Sequence, residues 1–116
     1  MHELALCDAI ARTATRNADG RPITQVTVRI GHLRQVVPDA LRFSWDVIAR
    51  SEATDSSLSD AQLVIEEVPA VVTCEACGSQ TTLSDPILVC GSCGTFDVTL
   101  LSGEELLVVS LELADA

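Results

Sequence analysis

The chain has 116 residues, room for one ordinary domain or two very small ones, and 47% of them are apolar, which excludes wholesale disorder. Aromatics are only 3%, so Val, Leu, Ile and Ala must fill the core, and a second lobe in so short a chain needs a staple such as a metal. Seventeen acidic residues against 7 basic ones give a net charge of −10, which argues against a phosphate-tracking nucleic-acid surface and against docking on an anionic membrane.

Residues 3–17 suit a helix. Leu6, Cys7, Ile10 and Ala14 fall on one face, widened by Leu4 and Ala11, while Asp8, Arg12 and Arg16 lie away from it. Asn17 to Gly20 form a stop, and Pro22 cannot continue the helix. Residues 23–31 predict a strand, with Val26, Val28 and Ile30 alternating with Gln25, Thr27 and Arg29. Pro38 opens a second helix over 38–50, whose stripe of Val37, Leu41, Trp45 and Ile48 faces the sheet. Residues 51–60 make a polar, serine-rich loop. Residues 61–69 predict a strand of untidy alternation: Leu63 and Ile65 share a face with Glu67, and Val64 and Val68 share the other with Glu66. A last strand covers 105–113, with Leu107, Val109, Leu111 and Leu113 on one face.

Between these two strands lies a cysteine block at 70–98. The expected fold is therefore α+β: a small lobe of two helices on a three-stranded sheet, built from residues 1–69 plus 99–116, with a four-cysteine zinc-ribbon lobe inserted at 70–98. No segment approaches the roughly 18 consecutive apolar residues of a membrane span. The first eight residues lack the basic start of a signal peptide and carry Glu3 and Asp8, so the cytoplasm is the expected compartment.

Five cysteines in a reducing compartment should be reduced, so four of them, in two tight pairs, read as metal ligands before disulfides. Cys74-Glu-Ala-Cys77-Gly78 and Cys90-Gly-Ser-Cys93-Gly94 are two knuckles. Two residues between cysteines let both thiolates reach one ion, and the following glycine can turn backbone N–H groups toward the sulfurs. The residues between the knuckles predict a short hairpin turning at Asp85-Pro86. Four thiolates make a closed tetrahedral site, which favours structural Zn²⁺, with rubredoxin-like iron as the alternative. Zinc supplies on the order of 10 kcal/mol to such folds, so the site works as a staple whether or not it also docks a partner. Cys7, inside the first helix's apolar stripe, reads as a buried structural thiol.

At the other end, an N-terminal amine, the His2 amide nitrogen and the His2 imidazole can chelate one metal in adjacent rings, a donor set suited to Ni(II) or Cu(II). Glu3 can add a further donor. His2 is too bulky for removal of the initiator methionine, so Met1 supplies the amine. Met1-His2-Glu3-Leu4, combined with two Cys-x-x-Cys-Gly knuckles in the last third, resembles the HypA/HybF family of hydrogenase nickel-insertion chaperones. Val28-x-Ile30-Gly31, the run Pro38 to Phe43, and Val68-Pro69 leading to the knuckles sit in the family's order. The resemblance implies two metals: Ni(II) held transiently by Met1, His2 and Glu3, and Zn(II) held by Cys74, Cys77, Cys90 and Cys93. It also implies a nickel-handling GTPase as partner and the large subunit of [NiFe] hydrogenase as recipient, with urease served in some bacteria. His32 and Asp39 are accessory candidates for nickel. The chain is expected as a monomer or a dimer.

Two other readings compete. One is electron transfer through a four-cysteine iron site, although only Phe96 is an aromatic close to the knuckles. The other is a zinc-ribbon interaction module, which net −10 opposes where the partner is a nucleic acid. An enzyme is not expected, because a closed four-thiolate site activates no water and no nucleophilic or phosphate-binding constellation is present.

Overall fold

The computed structural model describes residues 3–51 and 56–114. The first helix, α1, spans Glu3–Ala18 and buries Cys7, Ile10, Ala11 and Ala14 along the predicted stripe. Glu3 at its start and Arg16 in its last turn complement the helix dipole. It stops where Asp19 and Gly20 turn left-handed, at φ 52° and 81°. Strand β1 is Ile23–Gly31, as the alternation indicates.

Helix α2 is Pro38–Ala49, with Pro38 in its first turn. Its buried line is Leu41, Trp45 and Ala49, which corrects two members of the expected stripe. Val37 precedes the helix in extended conformation and is 56% exposed, and Ile48 is only half-buried. The Trp45 indole Nε1–H donates to the Ala61 carbonyl at 3.0 Å, which satisfies its one polar atom inside the core. Leu58, in a short 3₁₀ turn at Ser56–Leu58 within the segment read as polar loop, is fully buried.

Strands β2 (Gln62–Val68) and β6 (Leu106–Leu113) flank β1 in the order β2-β1-β6. β6 runs antiparallel to β1, since Gly31 N–H donates to Glu105 O at 2.7 Å at one end and Ala114 N–H to Pro22 O at 2.9 Å at the other. The two helices pack on this three-stranded sheet.

The second sheet has the order β4-β3-β5, formed by β3 (Val71–Cys74), β4 (Gln80–Thr82) and β5 (Val98–Ser102), with both pairs antiparallel. Its core is Ala70, Val72 and Leu83, with Leu33, Val98 and Leu100 packed around them. Two expectations change here. The hairpin pairs Val71 with Thr82 and Thr73 with Gln80, so it turns around the first knuckle and not at Asp85-Pro86. The knuckle is itself the turn: Gly78 takes φ 77°, and Cys74 N–H donates to Ser79 O at 2.8 Å. β5, an outer strand of this sheet, lies where the sequence pattern predicts no strand.

The chain divides into two compact units. One comprises Met1–Val28, Val36–Glu66 and Leu107–Ala116, and the other Arg29–Gln35 and Glu67–Leu106.

Candidate metal centre

Cys74 ends β3, and its pairing with Val98 of β5 fixes its backbone. Each knuckle then repeats one geometry. The amides of Ala76 and Cys77 donate to Cys74 Sγ, both at 3.3 Å, and those of Ser92 and Cys93 donate to Cys90 Sγ, both at 3.4 Å. Gly78 and Gly94 sit at φ 77° and 76°, and their amides return to the Cys74 and Cys90 carbonyls at 3.0 Å each. A side chain at either glycine would be strained, which is why the motif ends in Gly.

The four sulfurs of Cys74, Cys77, Cys90 and Cys93 lie within 4.8 Å of one another. Across the knuckles, Cys74 Sγ is 3.6 Å from Cys93 Sγ, and Cys77 Sγ is 3.7 Å from Cys90 Sγ. A tetrahedron with metal–sulfur bonds of ~2.3 Å has edges of about 3.8 Å, so the donor set fits an ion such as zinc. The electrostatics agree. Backbone amides of Cys93 and Ser92 lower the Cys90 thiol to about 6. Ser79, through its side chain and backbone, lowers Cys77. The Thr95 amide favours the Cys93 thiolate, yet the sulfurs of Cys74 and Cys90 beside it push that thiol up to about 11. Four adjacent sulfurs therefore do not all ionise unaided, and a divalent cation held there would supply the missing positive charge.

Compared with known proteins, residues 1–113 match the family model described as hydrogenase/urease nickel incorporation, metallochaperone, hypA. The chain belongs to the HypA family. It is 41% identical over 113 residues to the hydrogenase maturation factor HypA of Geotalea uraniireducens, an alignment covering 97% of this chain and 99% of that one. It is 40% identical over 116 residues to that of Chloroflexus aggregans, covering 97% and 98%. The solution structure of the Ni metallochaperone HypA from Helicobacter pylori shares the fold, with a TM-score of 0.66 at 20% identity over 97% of each chain. Like its family, this HypA chain is a non-enzymatic nickel metallochaperone of hydrogenase maturation carrying a four-cysteine site. As a maturation factor it works with partners of that pathway. No helix among the described residues is long and apolar enough to cross a membrane.

The other residues singled out by the sequence are dispersed. Met1 and His2 lie outside the described residues. Glu3 is buried at the start of α1, and its Oε2 accepts the Val37 amide at 3.5 Å, just ahead of α2. Asp39 is exposed and paired with Arg42 at 3.2 Å. His32 is exposed on a 3₁₀ turn at His32–Arg34. Neither belongs to a ligand cluster among the described residues. Cys7 is buried as expected: its thiol donates to Leu41 O at 3.3 Å, and burial pushes it up to about 12.

Sequence reasoning missed the supports of the cysteine centre. Thr81 of β4 accepts the Gly91 amide on its Oγ1 at 2.9 Å, tying the hairpin to the second knuckle. The Thr99 hydroxyl of β5 donates to Glu75, inside the first knuckle. Threonines flanking paired knuckles were the available signal.

Proposed function

We propose that this chain carries Ni(II) at its N-terminus, bound by the Met1 amine, the His2 amide and imidazole, and Glu3. It delivers the ion in the cytoplasm to the large subunit of [NiFe] hydrogenase, together with a nickel-handling GTPase. Urease is the other recipient named in the family's description. In this reading residues 1–69 plus 99–116 handle nickel. Residues 70–98 hold a structural zinc through Cys74, Cys77, Cys90 and Cys93. Zinc there would cross-link the knuckles and open no position to water.

The observation that carries this reading is the Met1-His2-Glu3 start in a chain whose residues 1–113 match a nickel-incorporation family. The chemistry supports it. Cargo that must be handed on needs ligands that detach one at a time, and a chain terminus provides them. Glu3 sits in the first turn of α1, so the nitrogen donors lie within two residues of an ordered helix.

Metal analysis of the untagged protein with added nickel tests the proposal. The expected result is one nickel and one zinc per chain. His2→Ala is expected to abolish nickel binding and leave zinc in place. A residue added before Met1 converts the amine to an amide and should act nearly as strongly. Nickel bound as tightly by the extended chain would eliminate the amine ligand.

A further inference from the structure

Each knuckle hides one sulfur and presents the other. Cys74 and Cys90 are buried, 4% and 2% exposed, and each sulfur is covered by two backbone amides. Cys77 and Cys93 are exposed. Each exposed sulfur also lies against the buried one of the other knuckle. Cys77 Sγ is 3.7 Å from Cys90 Sγ, and Cys93 Sγ is 3.6 Å from Cys74 Sγ. Four thiolates deny water a place on a bound ion, but the outward lone pairs of Cys77 and Cys93 stay open to solvent.

We propose that the cage is a peroxide-reactive site, in which Cys77 and Cys93 are oxidised first and are resolved by Cys90 and Cys74, giving two disulfides that cross between the knuckles. Where the cage holds zinc, oxidation also releases it; the release rests on that zinc reading, and the pairing does not. The Cys77 thiolate attacks one oxygen of hydrogen peroxide. An S–O bond forms, the O–O bond breaks, hydroxide leaves, and the sulfur is oxidised by two electrons to a sulfenic acid. The Cys90 thiolate then attacks the Cys77 sulfur, forming the S–S bond and expelling a second hydroxide. Cys93 and Cys74 repeat the sequence, so four thiolates and two peroxides give two disulfides and four hydroxides. A sulfur in a disulfide is no longer the thiolate that ligates a metal, so the chain gives up its zinc.

The pairing decides what happens to the fold. The core of this unit is small, Ala70, Val72 and Leu83 with Leu33, Val98 and Leu100 around them. A disulfide inside one knuckle closes a tight local loop and leaves the two knuckles untied. The crossed pairs join residues 13 and 19 positions apart, over the gap that zinc would bridge. Cross-links over longer stretches constrain the unfolded chain more. Each pair has to close by about 1.6 Å to reach the ~2.05 Å of a disulfide, a shift that side-chain rotation supplies. The oxidised unit therefore keeps its sheet, and a thiol reductant with zinc restores the cage.

Peroxide treatment of the full, zinc-loaded chain tests this. Zinc is counted by elemental analysis beforehand and followed with a chromogenic chelator. The oxidised protein is alkylated, cut after Glu75 by a glutamate-specific protease and cleaved at the acid-labile Asp85-Pro86 bond. The expected result is one zinc lost per two peroxides consumed, with the Cys74 peptide, the Cys77 peptide and the Cys90–Cys93 peptide joined in one species. Fragmentation between Cys90 and Cys93 should give Cys74–Cys93 and Cys77–Cys90, and the buried Cys7 should be recovered as a thiol. The Leu83 amide, which donates to Ala70 O, should stay protected from hydrogen exchange. Disulfides within the knuckles leave the Cys90–Cys93 peptide separate and overturn the inference. So do pairing of Cys74 with Cys90, sulfinic acids in place of disulfides, cysteines still reduced after peroxide, or loss of Leu83 protection. A chain without zinc before treatment refutes the zinc reading, and the disulfide map still decides the inference.

Discussion

Replacing Gly31 by alanine isolates a steric requirement in the cysteine-bearing unit. Gly31 closes β1 at φ −74° and ψ 146°, a conformation open to any residue, so only space is at issue. A Cβ added there would lie 2.0 Å from the Gly103 carbonyl oxygen and 2.1 Å from its carbon. Van der Waals contact begins at about 3.5 Å, so the strands must part by roughly 1.5 Å. Gly103 cannot simply recede, because it is pressed against Ala70: a Cβ built on Gly103 would come within 2.6 Å of the Ala70 Cα. Separation breaks Gly31 N–H to Glu105 O, at 2.7 Å, and Leu33 N–H to Gly103 O, at 2.9 Å. Each is worth about 1 kcal/mol, and overpacking adds about 1–3 kcal/mol. The expected destabilisation is about 3–5 kcal/mol. Urea unfolding of the zinc-saturated protein measures it, with hydrogen exchange at the Leu33 amide as the local probe. Gly91→Ala is the control. Its Cβ would lie 3.1 Å from Thr81 Cγ2, a side-chain atom that can yield, and the cost should stay below about 1 kcal/mol. Gly31→Ala within about 1 kcal/mol of the wild type, with Leu33 still protected, would refute the reasoning.

Cys74→Ala or Cys90→Ala should remove the zinc and unfold the sheet of β3, β4 and β5, while Trp45 emission, reporting the other unit, stays native. X-ray absorption showing nitrogen or oxygen ligands on the zinc would contradict the assignment. Alkaline stability should report Cys7. The folded protein holds that proton up to about pH 12 and the unfolded chain only to about 9, so between those values the unfolded state binds fewer protons and stability falls as pH rises. The chain has neither lysine nor tyrosine to confuse this window, and the titration is run on the zinc-loaded protein, in which the knuckle sulfurs, Cys93 included, would already be thiolates. Cys7→Ala should flatten the slope in urea titrations from about pH 9 to about 11, and an unchanged slope would reassign it.

The elements of the larger sheet and its helices were legible because burial against one layer imposes a period. Cys7, Ile10 and Ala14 follow the helical repeat, and Leu41 and Trp45 do the same. The strands around the knuckles were not legible, because alternation of buried faces is not what holds them. β4 is Gln80-Thr81-Thr82, three polar residues kept in place by backbone pairing to β3 and by the Thr81 hydroxyl. Asp85-Pro86 has the composition of a turn, but the Leu83 amide goes to Ala70 O at 2.8 Å, which ends the pairing before that turn is reached.

The two proposed metal sites differ in how far sequence alone could carry them, and the reason is chemical. A Cys-x-x-Cys-Gly knuckle specifies its own geometry: three-residue spacing directs two amides onto one sulfur, and a left-handed glycine closes the loop. Two copies therefore dictate a four-sulfur cage wherever the chain brings them together. A Met-His-Glu terminus specifies nothing comparable, since an amine, an amide and an imidazole are available to any chain that begins this way. Its meaning came from the combination with the knuckles. The apolar face of β6 marks a third case. Alternation shows that Leu107, Val109, Leu111 and Leu113 share a side of the strand, but not whether the chain covers that side. In this fold Leu111 and Leu113 are half-buried, while Leu107 and Val109 stay exposed. Periodicity encodes a demand for burial, and where the chain itself leaves that demand unmet, the remaining apolar surface is available to another molecule.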